Sequence, residues 1–250
     1  MQNKVSNYLL KIEYDGTEFV GWQYQKNGRS VQDRIEKVLF KILKSKTRIV
    51  GAGRTDKGVH AINQYANFKT KKKIVDKKKF IKPLNFFLKD DKISILKIYE
   101  KNLNFSARFN AKKRVYIYII INRESPLSLD KNRAWHIQRK LNINLLKRGA
   151  KILKGKHDFS TFRASSCTSK SPIKNMQSVM IKKIGDKICI SFKSQSFLQN
   201  QVRSMVGCLK NLSTHQWSIK KFKKVLKSKN RQSCAVPAPA CGLYLAKVIY

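Results

Sequence analysis

Apolar positions along this chain follow two rhythms, one of period two and one near 3.6, and the switches between them mark out the elements. Residues 8–15 carry bulky side chains and end at Asp15-Gly16, which predicts a strand and a turn. Trp22, in the Gly21-Trp22-Gln23 loop that follows, reads as a core filler or a platform for a base, the core being favoured. Val31, Ile35, Val38, Leu39, Ile42 and Leu43 recur at the helical period, so 31–45 is predicted as a helix. Ser30 is its expected N-cap, with Asp33 placed as in a capping box. Residues 47–53 and 63–68 read as strands on either side of a glycine-rich loop. A short helix ending near Leu88 and a strand over 93–99 follow.

The clearest alternation lies in 114–122. Val115, Ile117, Ile119 and Ile121 point one way and are expected to face the core; Arg114, Tyr116 and Tyr118 point the other. An aromatic and basic sheet face suits base stacking, and ordinary cross-strand tyrosine packing gives the same pattern. A helix over 143–153 closes at Gly155. His157-Asp158 is expected in the next loop, where adjacent side chains rarely face each other as a dyad. Residues 178–184 and 187–194 form a predicted hairpin through Gly185-Asp186. The helix predicted over 198–212 buries Leu198, Val202, Met205, Val206 and Leu209, with Arg203 at the edge of that stripe. An arginine so placed usually has a carboxylate partner; the local segment has none, so the partner is expected from far away in sequence. A basic helix over 218–227, a Pro237-Ala238-Pro239 loop and a strand over 242–249 complete the chain.

At 250 residues the chain has room for one large domain or two ordinary ones. Its charge changes the picture: 55 basic against 14 acidic residues give +41. Such a field attracts polyanions, nucleic acid above all, although abundant lysine, asparagine and isoleucine also fit an AT-rich genome. Beyond Asp186 there is no acid and there are 12 Lys or Arg, so cations of that segment face solvent or a partner. Residues 69–79 hold seven lysines, read as a solvated loop or helix start. Cys167, Cys189, Cys208, Cys234 and Cys241 are odd in number and lack C-x-x-C spacing. That argues against a disulfide framework or zinc site and for a reducing compartment. The longest apolar run, 115–121, is too short for a membrane span, and no signal-peptide core precedes it. A soluble cytoplasmic protein is expected.

Candidate chemistry concentrates in Gly51-Ala52-Gly53-Arg54-Thr55-Asp56-Lys57-Gly58-Val59-His60-Ala61. Three glycines permit sharp turns and close approach. Arg54, Lys57 and His60 surround Asp56, and cations at that range favour its ionised form. An ionised carboxylate walled by positive charge suits a nucleophile or base acting on an anionic substrate; Asp-Lys-Gly also makes a plain turn. Neither a phosphate-binding Gly-Lys-Ser/Thr loop nor a dinucleotide fingerprint is present. The acids are too scattered for a two-metal nuclease site.

This motif closely resembles the active-site segment of the tRNA pseudouridine synthase A family. The resemblance runs nearly end to end: Tyr14-Asp15-Gly16 with Gly21-Trp22-Gln23, Ser30-Val31-Gln32, the 105–109 segment, the 114–118 tyrosine strand, His157-Asp158-Phe159, the 197–207 arginine helix and Gly242-Leu243-Tyr244-Leu245. It departs at Ser106, where the family often has histidine, and at Gln199-Asn200-Gln201, in place of a histidine-rich variant. The resemblance implies an α+β fold of two ferredoxin-like, RRM-like domains, 1–110 and 111–250, with antiparallel sheets joined around a central cleft. It implies an isomerase converting uridine to pseudouridine at positions 38, 39 and 40 of the tRNA anticodon stem-loop. No metal or cofactor is implied, and a homodimer is. Asp56 would be the nucleophile, attacking ribose or uracil ring. Tyr116 would stack on the base and help move the proton at carbon 5. Arg203 would pair with Asp56, Arg54 would fill the space left by the extruded nucleotide, and Leu243 would line the uracil pocket. The competing class is a non-catalytic RNA-binding or RNA-folding protein with the same charge and tyrosine strand. A carboxylate facing phosphates would weaken such a binder.

Overall fold

The bulky run that opens the chain forms β1 (Ser6–Tyr14), with four consecutive residues buried from Asn7 to Leu10. Burial without alternation means both faces of that stretch are covered. The computed structural model describes residues 5–250 and divides into two units. One runs through Lys112 and includes Leu245–Tyr250; the other is Lys113–Tyr244.

In the first unit β1 is followed by α1 (Val31–Leu43), β2 (Ile49–Gly51), β3 (His60–Thr70), α2 (Lys77–Leu88) and β4 (Ile93–Lys101). β4 and β3 flank β1, both antiparallel, and β2 pairs with β3 at residues 66–68. The β1–β3 register shifts between Ile12 and Tyr14, at the end of β1 nearest the glycine-rich loop. Such irregularities re-aim side chains near functional sites. The Ser30 hydroxyl accepts from the Asp33 amide at 3.2 Å as expected of a cap. The Asp33 carboxylate turns instead to Lys37, 2.8 Å away. α1 ends two residues earlier than its periodicity suggests because Lys44 adopts the left-handed region, φ 57°. Trp22 is core, 3 % exposed.

The second unit contains β5 (Lys113–Asn122), β6 (Trp135–Ile137), α3 (Ile143–Leu153), β7 (Gly155–Asp158), β8 (Ile173–Ile184), β9 (Lys187–Ser194), α4 (Gln201–Ser213) and α5 (Ile219–Lys227). β5–β9, β9–β8 and β8–β7 are antiparallel. β6 lies parallel to β5, which makes the sheet mixed where antiparallel pairing was expected. The three helices pack on one another, and α3 also packs on β8. The last strand, β10 (Leu243–Ile249), begins in this unit; from Leu245 onward it belongs to the first, beside β3. The protein is thus α+β, with five α-helices among the described residues.

The structure corrects three expectations for the second half. In β5 it is Arg114, Tyr116 and Tyr118 that are buried, at 9, 7 and 0 % exposure, while of the expected core face Val115, Ile117 and Ile119 are half-buried and only Ile121 is buried. The tyrosine face is covered because Phe197 packs edge-on against Tyr116, with centroids 5.0 Å apart, and Trp135 against Tyr118. Tyrosine can be buried this way when its hydroxyl has an acceptor, and Tyr118 donates to the Pro239 carbonyl at 2.7 Å. His157 and Asp158 lie in β7 rather than a loop, paired with Lys174 and Ile173. Asp158 accepts from the Ser160 amide, and His157 Nε2 meets the Lys154 carbonyl. The fourth helix starts at Gln201, not Leu198, because Asn200 takes φ 60°; asparagine is among the few residues that visit that region readily.

One ion cluster fastens the first unit away from its sheet. Asp91, with 3 % of its side chain exposed, pairs with Arg29 and with Arg34, the latter at 2.8 Å. The arginines remain partly solvated, so losing the acid would not strand a buried cation. Asp91→Asn is expected to lower stability by about 1–2 kcal/mol, the range of charged hydrogen bonds discounted for that exposure. A lower urea midpoint with unchanged slope would show it.

Candidate active site

The 51–61 segment departs from β2 and returns as β3, so it is a loop between two hydrogen-bonded partners. Backbone bonds tie it at several points. Ala52 N donates to Tyr65 O at 2.7 Å, Trp22 N to Thr55 O at 3.1 Å, and Gly58 N to Phe19 O at 3.2 Å. Gln64 Nε2 donates to Gly53 O at 2.7 Å. Within the loop, Val59 N donates to Asp56 O at 3.1 Å, a tight turn around the carboxylate residue. Glycine is required at two neighbouring positions for close approach. A Cβ at Gly16 would overlap the Val59 carbonyl, and one at Gly51 would meet the Trp22 indole at 2.5 Å. The segment is therefore a turn, and a turn clamped against its surroundings.

Side chains flank Asp56 on both sides. Thr55, buried, shares a 2.7 Å hydroxyl–hydroxyl bond with Tyr14 at the tip of β1. His60, also buried, accepts the Gly16 amide at Nδ1, 3.0 Å away. Asp15 Oδ1 lies 3.2 Å from the same ring nitrogen. Asp56 itself is half-buried, while Arg54 and Lys57 are exposed. A carboxylate in that position can reach solvent-borne substrate, and exposed cations on either side attract an anionic one. The lysines of 69–79 are exposed apart from half-buried Lys77; they run from the end of β3, which includes Lys69, through the following turn into the start of α2. Among the described residues no group of three His, Cys, Asp or Glu is placed to hold a metal ion.

In the second unit, Arg203 sits in the first turn of α4, half-buried. Its Nε donates to Ala238 O at 2.7 Å and Nη1 to Asn200 Oδ1 at 3.2 Å; Ala238 N returns a bond to Arg203 O. Both acceptors are neutral and aim the guanidinium without cancelling its charge. Tyr116 lies on β5, packed edge-on against Phe197. Burial pushes the neighbouring Tyr118 hydroxyl far above its ordinary range, a nearby Cys241 adds to this, and Arg203 opposes it. Tyr118 stays protonated and acts as a strut to Pro239. Leu243 is buried at the start of β10. The five cysteines are free, yet Cys208 and Cys234 stand with sulfurs 3.5 Å apart. Their 26-residue separation gives no sign of it.

The supports of the loop, Tyr14, Thr55 and Gln64, escape a reading of the sequence. Their partners lie up to 41 residues away, so no local pattern announces them. Asp15 adds a pH signature. Burial raises its carboxyl, but the Thr17 hydroxyl and amide, with His60 and Lys92 nearby, outweigh this and hold it below the usual 3.8. A depressed folded-state value stabilises above about pH 4 and is lost as pH falls through it. Asp15→Asn should therefore lower Tm at pH 7, and its gap from the parent protein should narrow towards pH 3 in calorimetric scans.

Comparison with known proteins extends over nearly the whole chain. A family model described as tRNA pseudouridine synthase matches residues 11–110 and 150–250. The tRNA pseudouridine synthase A of Pelagibacter ubique (strain HTCC1062) is 57% identical over 97% of this chain and 99% of its own length. Those of Maricaulis maris (strain MCS10) and Parvibaculum lavamentivorans are 39% and 41% identical, each covering 97% of this chain and 97% and 98% of the relatives. Likeness of that extent, over nearly the whole of this chain and of its relatives, shows that the chain belongs to the tRNA pseudouridine synthase A family.

Proposed function

We infer that this protein isomerises uridine to pseudouridine in the anticodon stem-loop of tRNA, at positions 38, 39 and 40. It works in the cytoplasm as a homodimer without metal or organic cofactor. The observation that carries the reading is the full-length likeness combined with a half-buried Asp56 on a many-times-anchored loop.

The chemistry asks little of any cofactor. The bond from C1′ to N1 breaks, a bond from C1′ to C5 forms, C5 loses a proton and N1 gains one. Atoms and electrons are conserved. Asp56 supplies the covalent step by attack on the ribose or on the uracil ring. Tyr116 stacks on the base and takes part in the proton movement at C5. Arg203, aimed by Ala238 and Asn200, pairs with Asp56 and keeps it ionised. The glycosidic bond is shielded in a stacked stem, so the nucleotide must be extruded; exposed Arg54 takes its place, and Leu243 lines the uracil pocket. Two ferredoxin-like domains around a cleft would bring these groups together.

The direct test is nucleotide-resolution mapping of pseudouridine in tRNA transcripts treated with purified protein. Pseudouridine at 38, 39 or 40 is expected, at a rate unchanged by chelators. Tight binding without pseudouridine would favour the non-catalytic RNA binder. The lysines of 69–79 give a second test. Replacing Lys71, Lys72 and Lys73 by Gln should weaken every tRNA alike and flatten the salt dependence. The log–log slope should fall by about 0.7–0.9 for each phosphate that is no longer neutralised. Turnover that collapses with binding unchanged would contradict a purely electrostatic role.

A further inference from the structure

The loop that carries Asp56 is held largely through backbone atoms, its own or those of its neighbours. Next to the carboxylate residue itself, an anchor joins two side chains: the Tyr14 and Thr55 hydroxyls, 2.7 Å apart and both buried. Thr55 immediately precedes Asp56. Its carbonyl is already taken by Trp22 N at 3.1 Å, so the Tyr14 bond fixes the side chain of a residue whose backbone is fixed as well. With the Asp56 carbonyl closed onto Val59 N, the peptide units on both sides of the carboxylate residue are pinned.

Tyr14 is itself well placed to act as a post. It ends β1 where the register with β3 shifts. Its ring is buried against Trp22, with centroids 6.1 Å apart. Trp22 also fills the space left open at Gly51, where the loop departs. Gly16, two residues on, approaches Val59 so closely that no Cβ fits between them. Strand tip and loop are therefore packed together, and the Tyr14 hydroxyl is bonded directly to Thr55.

We propose that Tyr14 is a positioning residue for the isomerisation, acting through the Thr55 hydroxyl to hold the Asp56 carboxylate in its attacking orientation. The proposal rests on the reading of Asp56 as nucleophile. Orientation of a nucleophile bears on the chemical step and not on how tRNA is held, and a misplacement near 1 Å can cost about a hundredfold in rate. Loss of this bond should thus appear in kcat and leave KM alone. A merely structural bond would change thermal stability and spare kcat well below Tm.

The test compares Tyr14→Phe, Thr55→Val, the double variant and Thr55→Ser under single-turnover and steady-state conditions, with Asp56→Ala in the same assay. Each of the first two is expected to lower kcat by about 10–100-fold with KM unchanged within about twofold. The double variant should be no slower than the slower single, because both remove the same bond. Thr55→Ser keeps the hydroxyl and should stay within about threefold of the parent. Singles with normal kcat, losses that multiply in the double variant, or a rise in KM that accounts for the loss would each overturn the proposal. Turnover by Asp56→Ala would instead overturn the nucleophile assignment. An inactive Asp56→Ala beside a normal Tyr14→Phe would sink the positioning role alone. Should Tyr14→Phe fold poorly, Thr55→Val and its rescue by Thr55→Ser carry the same comparison.

Discussion

A carboxylate on a flexible loop is a poor nucleophile, because each attack must first find the right geometry against many wrong ones. The 51–61 segment escapes this by exchanging freedom for anchorage. Gly51 lets it lie against Trp22, and Gly16, just past β1, lets Val59 approach closely; the donors and acceptors exposed by that irregular path are taken up by Phe19, Trp22, Gln64 and Tyr65. Buried backbone polar groups must be satisfied wherever they lie, so the bonds that keep the loop folded also keep Asp56 still. Stability and chemistry draw on the same interactions.

Charge sets the second constraint. With +41 on the chain, the field alone brings RNA in and cannot by itself say where it docks. The acids among the described residues show where single carboxylates sit. Asp91 is engaged by Arg29 and Arg34, Asp15 by Thr17 and the His60 ring, and Asp158 by the Ser160 amide. Asp56 stands half-buried between exposed Arg54 and Lys57. A carboxylate there opposes phosphate binding, and that opposition makes sense when the carboxylate performs chemistry.

The elements that could be read from sequence were those with a strong local period. The helix begun by Ser30, the hairpin through Gly185-Asp186 and the basic helix over 218–227 appear where the pattern put them. The site loop was visible because it is a contiguous motif. What escaped was set by partners remote in sequence. The burial of the tyrosine face of β5 was missed because Phe197, Trp135 and Pro239, remote in sequence, cover the tyrosines, and tyrosine with a satisfied hydroxyl packs as well as isoleucine. The start of α4 shifted because a single Asn200 turns left-handed. Tyr14, which bonds Thr55, reads in the sequence only as part of a strand and of the Tyr14-Asp15-Gly16 segment.

Everything proposed for this molecule rests on the charge of one side chain. Asp56→Asn keeps the volume of the carboxylate and removes its anion, so it separates the nucleophile from the scaffold around it. Release of tritium from tRNA labelled at uridine C5, followed in a single turnover with enzyme in excess, reads the bond change itself. No release by Asp56→Asn, with tRNA affinity retained, is the predicted result. Release at a rate near that of the parent protein would show that the covalent step belongs to some other group.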